Sequence, residues 1–202
     1  MLLDVEDSRL VLVDYQARLM PVIFEGDKVL ANARRLAQMA QLLDVPAVGT
    51  EQNPASLGEN DPAIRALCSR TLAKMEFSAC AEGLVEWLRP APRVAQGGNA
   101  RSLPKHLQKA VPAPAPAANT VVIAGCEAHV CLLQTALELL DEEFEVWVVT
   151  DACSSRTERN RDAAFDRLAG AGAELLTTEM VAFEWLRSAG HPQFKAVQAL
   201  IK

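Results

Sequence analysis

Apolar runs and apolar stripes alternate along this chain. Arg9-Leu-Val-Leu-Val13 is a short apolar run that stops at Asp14 and predicts a first strand. From Lys28 to Leu43, apolar residues fall at 29, 33, 36, 40 and 43, with Arg34, Arg35, Gln38 and Gln41 opposite. That is the spacing of an amphipathic helix, with Asp27 as its N-cap. Val45-Pro-Ala-Val48 predicts a second strand, its proline near the start where the missing N–H is tolerated. Further strands are expected at 121–124, at Glu145-Val-Trp-Val-Val149 and at Glu174-Leu-Leu176. Helices are expected over 81–88, from Cys131 through Leu140, over 159–169 ending at Gly170 and Gly172, and near 179–188 and 193–201. Strands and helices alternating at this spacing predict a mainly parallel sheet covered on both faces.

One stretch breaks the rhythm. Residues 89–119 hold six of the eleven prolines, a Gly97-Gly98 pair and the tract Val111-Pro-Ala-Pro-Ala-Pro-Ala-Ala118. This composition predicts an extended, semi-rigid insertion, with a short helix around 103–110. At 202 residues, and without an internal repeat, the chain is expected to form one domain spanning 1–202 around this insertion. A net charge of −6 without any Lys/Arg-rich block argues against nucleic acid and anionic membranes as partners. No apolar stretch is long enough to span a bilayer, and the acidic start lacks the pattern of a signal peptide. Five irregularly spaced cysteines do not read as a disulfide framework, which points to a cytoplasmic protein with reduced thiols.

The candidate chemistry lies where strands end. Cys131 sits where the run Val121–Ala124, stopped by Gly125, gives way to a helical stripe. Unpaired N–H groups and the positive end of the helix dipole converge at such a place and favour thiolate over thiol. Buried free cysteines commonly only fill space, so position alone leaves catalysis and packing equally open. Other polar residues end predicted strands: Asp14-Tyr15-Gln16, Thr50-Glu51-Gln52, the segment 127–131, and Asp151. Gln16 and Gln52 also fit surface loops, and Asp151 reads as a cap or turn former. No glycine-rich phosphate loop follows the first strand, which disfavours nucleotide binding of the Rossmann or Walker kind.

Taken together, several short motifs in order resemble the isochorismatase-like cysteine hydrolase superfamily. They are Asp14 after the first strand, Lys74 in Lys-Met-Glu-Phe-Ser78, and Cys131 in Gly-Cys-Glu-Ala-His-Val-Cys. The match continues through Thr50-Glu-Gln52, Gln134-Thr-Ala136, Asp151-Ala-Cys-Ser-Ser-Arg156 and Thr177-Thr-Glu-Met-Val-Ala-Phe183. Residues 190–202 are similar to the tail of the subgroup called isochorismatase domain-containing proteins. The resemblance implies a three-layer, Rossmann-like α/β fold, a homo-oligomer, and a catalytic triad of Asp14, Lys74 and Cys131. In that triad Cys131 attacks a carbonyl to form a thioester, Asp14 handles the proton, and Lys74 lowers the thiol pKa. It implies an oxyanion hole from the backbone N–H groups of Glu127 and Cys131, with a non-proline cis peptide between Cys126 and Glu127. Gln16, Gln52, Phe77 and His129 are assigned to the substrate pocket on the same basis.

Two departures narrow the reading. Nicotinamidases of this superfamily carry an Asp-x-His metal motif after the second strand, and here that region, Thr50 to Gly58, has no histidine. Cys126-x-x-His-x-Cys131 lacks a second ligand pair at zinc spacing, so neither a metal nor another cofactor is expected. Isochorismatases acting on a vinyl ether do not need the cysteine that this chain has. The expectation is therefore a cysteine hydrolase cleaving a carbon–nitrogen bond in a small amide or imide. The alternative is a binding or scaffold protein that keeps the fold and triad with little turnover.

Overall fold

The computed structural model describes residues 1–89 and 119–202. The expected proline-rich insertion, except for its two ends, and the helix around 103–110 lie outside the described residues. Six strands form one sheet in the order β3-β2-β1-β4-β5-β6, with every neighbouring pair parallel. They are β1 (Ser8–Val13), β2 (Ala47–Gln52), β3 (Arg70–Lys74), β4 (Thr120–Gly125), β5 (Glu145–Val149) and β6 (Glu174–Leu176). β2 and β4 are buried at every position, as central strands of a doubly covered sheet must be, although β2 ends on the polar Thr50-Glu51-Gln52.

The first long helix, α1 (Gly26–Leu42), buries Val29, Ala33, Leu36, Ala37 and Ala40 along one stripe. Its start differs from the expectation. Glu25, in a left-handed conformation at φ 53°, is the N-cap residue, and Asp27 lies inside the first turn. Between β2 and β3 lie two short helices, α2 (Pro54–Leu57) and α3 (Pro62–Leu67), the latter capped by the Asp61 side chain. The single helix expected over 81–88 is two pieces, a 3-10 turn at Cys80–Glu82 and α4 (Leu84–Leu88). Gly83 between them takes φ 97°, a value that ends the first turn and that glycine adopts at little cost. Beyond β4, a π-helical turn at Ala128–Leu132 runs into α5 (Leu133–Asp141). The remaining helices are α6 (Glu158–Gly170), α7 (Thr178–Leu186) and α8 (Phe194–Ile201). α1 packs with α3, α7 and α8, and α5 packs with α6.

Strand order reverses direction between β1 and β4. In open α/β sheets the crevice beyond the carboxyl ends at such a switch is where ligands bind. Asp14 follows β1 there, and the Cys131 turn follows β4.

Candidate active site

Three strands and one helix deliver the expected triad to this crevice. Asp14 leaves β1 in the left-handed region at φ 56°, a conformation that aspartate tolerates better than most residues. Its N–H is held by the Thr50 carbonyl at 3.2 Å. Lys74 is the last residue of β3, in register with Gln52 at the end of β2. Cys131 lies on the π-helical turn after β4. Gly125, at the end of β4, is a position only glycine can fill, because a Cβ there would sit 2.4 Å from both Val13 Cβ and the Val13 carbonyl oxygen. That close approach brings the strand carrying the cysteine against the strand carrying the aspartate.

The side chains form one buried network. Lys74 Nζ donates to Asp14 Oδ2 at 2.9 Å, and both side chains are fully buried. Nζ also donates to Gln52 Oε1 at 2.7 Å and to the Phe77 and Glu76 carbonyls at 3.1 and 3.4 Å. Thr50 Oγ1 donates to the other carboxylate oxygen of Asp14 at 2.6 Å. Burying a charge is tolerable only when it is paired and its remaining hydrogen-bonding capacity is used, and this pair meets both conditions. The Cys131 thiol donates to Gln52 Oε1 across 3.8 Å, so one amide oxygen touches both the ammonium and the thiol.

The expectation that Cys131 rests as a thiolate is corrected. Its thiol is pushed up to about 12, first by burial and then by the negative charge of Asp14, while Lys74 pulls it down. Cys131 is 6% exposed, and loss of hydration is the largest of these influences, larger than the pull of the ammonium. The cis peptide between Cys126 and Glu127 is present.

The expected pocket residues fall into different places. Gln16 is fully buried, and its amide braces the backbone, donating to the carbonyls of Gln52 and Gly58 and accepting from Gln52 N–H. Gln52 faces the triad, with its Nε2 committed to the Met75 carbonyl at 2.6 Å. Phe77 gives its carbonyl to Lys74 and leaves its side chain half-exposed at the rim. His129 turns toward α6, with Nδ1 2.9 Å from Ser155 Oγ and Nε2 3.4 Å from Asn160 Nδ2. Neither ring nitrogen is hydrogen-bonded to the triad. Glu127 beside it pairs with Arg156 at 3.1 Å. Thr50 was not singled out by sequence as a site residue. Its position at the end of β2, with the polar group Thr50-Glu51-Gln52, was the available signal.

A cavity of about 570 Å³ opens elsewhere on the same edge, beside Asp151, Cys153 and Thr177. It is walled by Phe24, Val29 and Phe165 and does not reach the triad. Among the described residues, no group of three His, Cys, Asp or Glu side chains is placed to hold a metal ion. No helix among them is long and apolar enough to cross a membrane.

Comparison with known proteins decides the family. A model of the isochorismatase domain matches residues 104–180. Isochorismatase domain-containing protein 2 of Rattus norvegicus is 34% identical over 197 residues, covering 98% of this chain and 82% of that protein. The chain belongs to the isochorismatase family. The Bos taurus protein of the same name is 36% identical, over 96% of this chain and 83% of its own length. Among solved structures, the MAR1 ribonuclease of Caenorhabditis elegans superposes with a TM-score of 0.81 at 29% identity, covering 100% of this chain and 92% of that one. The Escherichia coli YcaC gene product, described as an octameric hydrolase of unknown specificity, superposes at 0.79 with 27% identity, covering 98% and 88%. The three-layer parallel α/β fold is thus that of the isochorismatase family, whose members include hydrolases.

Proposed function

We propose that this isochorismatase-family protein is a cysteine hydrolase that needs no metal and cleaves a carbon–nitrogen bond in a small amide or imide. The observation that carries the reading is the buried Asp14–Lys74 pair joined through Gln52 to the Cys131 thiol. Because the thiol rests protonated, attack and deprotonation are coupled. As Cys131 Sγ bonds to the substrate carbonyl carbon, the thiol proton passes to Asp14. The N–H groups of Glu127 and Cys131 are assigned to the developing oxyanion, where one such donor contributes roughly 3 kcal/mol in other enzymes. Collapse breaks the carbon–nitrogen bond, Asp14 returns the proton to the leaving nitrogen, and a thioester remains on Cys131. Water then adds to the thioester and gives a proton to Asp14. The carbon–sulfur bond breaks, the acid departs, and the proton returns to the thiol. Lys74 stabilises the carboxylate form of Asp14 between transfers and the thiolate during the attack.

The C. elegans relative is named a ribonuclease. For this chain, a net charge of −6 favours a small molecule over a polyphosphate backbone. All five cysteines are free, which supports a cytoplasmic setting, and the octameric YcaC relative supports a homo-oligomer. The test is exposure of the protein to a library of small amides and imides, followed by mass measurement of the Cys131 peptide. An acyl adduct that forms on Cys131 and turns over is expected. Stoichiometric binding without product or adduct would favour a scaffold role instead.

A further inference from the structure

The segment between β3 and the 3-10 turn is tied down more tightly than a surface loop requires. Met75 and Glu76 N–H groups donate to Glu82 Oε1 at 3.1 and 3.4 Å. At its far end, Ser78 Oγ donates to Glu138 Oε2 at 2.5 Å, and Ala79 N–H donates to Thr135 Oγ1 at 3.0 Å. Ser78 is buried, and its Oγ also accepts from Cys80 N–H at 3.2 Å. Thr135 and Glu138 are three apart on α5 and share a face. Thr135 lies four residues beyond Cys131 on the same continuous helical segment.

These bonds therefore run from the helix that carries the thiol to the loop whose carbonyls hold the ammonium. The Glu76 and Phe77 carbonyls that receive Lys74 Nζ lie immediately before Ser78. The Met75 carbonyl receives Gln52 Nε2, which fixes the amide shared by the ammonium and the thiol. We propose that Ser78 and Glu138 form a clasp that positions Lys74 against Cys131. The ease with which Cys131 ionises then depends on two residues that touch neither the thiol nor a substrate. They are positioning residues, acting through the carbonyls of 76 and 77.

The proposal rests on the reading of Lys74 as the group that stabilises the thiolate, so the experiment separates the two. Folded full-length protein is treated with limiting iodoacetamide between pH 7 and 9.5, and labelling at Cys131 is followed by the mass of its peptide. The variants are Lys74→Met, Ser78→Ala, Glu138→Leu and Glu138→Gln. Lys74→Met is expected to slow labelling of Cys131 about tenfold or more, a full unit of thiol pKa. Ser78→Ala and Glu138→Leu are each expected to slow it by about half a unit to one unit, roughly three- to tenfold, and the double variant no further, as partners in one interaction should. Glu138→Gln keeps an acceptor for Ser78 Oγ and is expected to stay within about twofold of the parent, well under half a unit. A clasp that only shielded the thiol would give the opposite sign, because opening it would speed labelling. Unchanged or faster labelling in Ser78→Ala and Glu138→Leu, with Lys74→Met still slow, overturns the clasp and leaves the proposed function standing. Equal slowing in Glu138→Gln and Glu138→Leu overturns it as well, since the hydrogen bond to Ser78 that Gln retains would then make no difference. Unchanged labelling in Lys74→Met removes the premise and the activation step of the proposed function with it. If Ser78→Ala does not fold, Glu138→Leu against Glu138→Gln decides the question alone.

Discussion

Two aspartates end parallel strands on the same edge of this sheet, and they have different occupations. Asp14, after β1, is fully buried and shares its carboxylate between the Lys74 ammonium and the Thr50 hydroxyl. Asp151, after β5, accepts from the N–H and hydroxyl of Thr178 with one oxygen, at 2.8 and 2.9 Å, and fastens the start of α7. Its carbonyl holds Asn32 of α1 at 2.8 Å. The difference is one of partners. A lysine and a thiol converge on Asp14, whereas helix-terminal donors converge on Asp151. A carboxylate that caps a helix start holds structure, while one set beside a cation and a thiol is placed to move a proton.

Breaking Asp14 gives the largest expected effect. On any substrate found by the amide and imide screen, Asp14→Asn should lower turnover by about a thousandfold or more, as removal of one member of a catalytic unit does. Asp151→Ala should leave the catalytic step essentially unchanged in folded protein. A comparable loss in both would mean that the two carboxylates are not distinguished by role.

Stability comes next. Lys74→Met leaves Asp14 buried without its cation and is expected to cost about 3–5 kcal/mol in urea unfolding. Asp151→Ala removes the acceptor of two Thr178 donors and should cost about 2 kcal/mol. A Lys74→Met variant as stable as the parent would show that the pair is not held charged.

A third effect is graded with pH. Burial raises the thiols of Cys131 and Cys153 to about 12 and that of Cys68 to about 11, against roughly 8.5 in an unfolded chain. The folded state therefore keeps protons that the unfolded state releases. This contribution to stability is fully present below about pH 8.5 and is lost as pH rises from there toward 11–12. Urea midpoints should fall between pH 8 and 10.5, and less steeply in Cys131→Ala, which has one proton fewer to lose. A midpoint that rises over this range would contradict the buried, neutral thiol.

Much of the scaffold was legible because β1, β4 and β5 carry continuous apolar runs with no other stable use. β1, β4 and β5 lie within a residue of expectation. β3 was not seen. Its five residues, Arg-Thr-Leu-Ala-Lys, are exposed or half-buried except Lys74, and an edge strand of that kind carries neither an apolar run nor a clean alternation. Lys74 itself reads as a surface lysine unless the resemblance is used, since its burial comes from three elements distant in sequence. Gln16 and Gln52 were legible as polar residues at strand ends. Which way each amide turns is set by carbonyls at Gly58 and Met75 that no local pattern reveals. The ionisation of Cys131 was misjudged for a related reason. Sequence marks the helix that favours the thiolate, but the water excluded around it appears only in the folded chain.

The protonated state of Cys131 has a bearing on chemical endurance. Peroxide attacks thiolates, and the ladder from sulfenic to sulfonic acid begins from that form. A thiol held neutral at 6% exposure offers little to an oxidant. The same desolvation that slows spontaneous ionisation therefore lengthens the working life of the residue on which the proposed reaction depends.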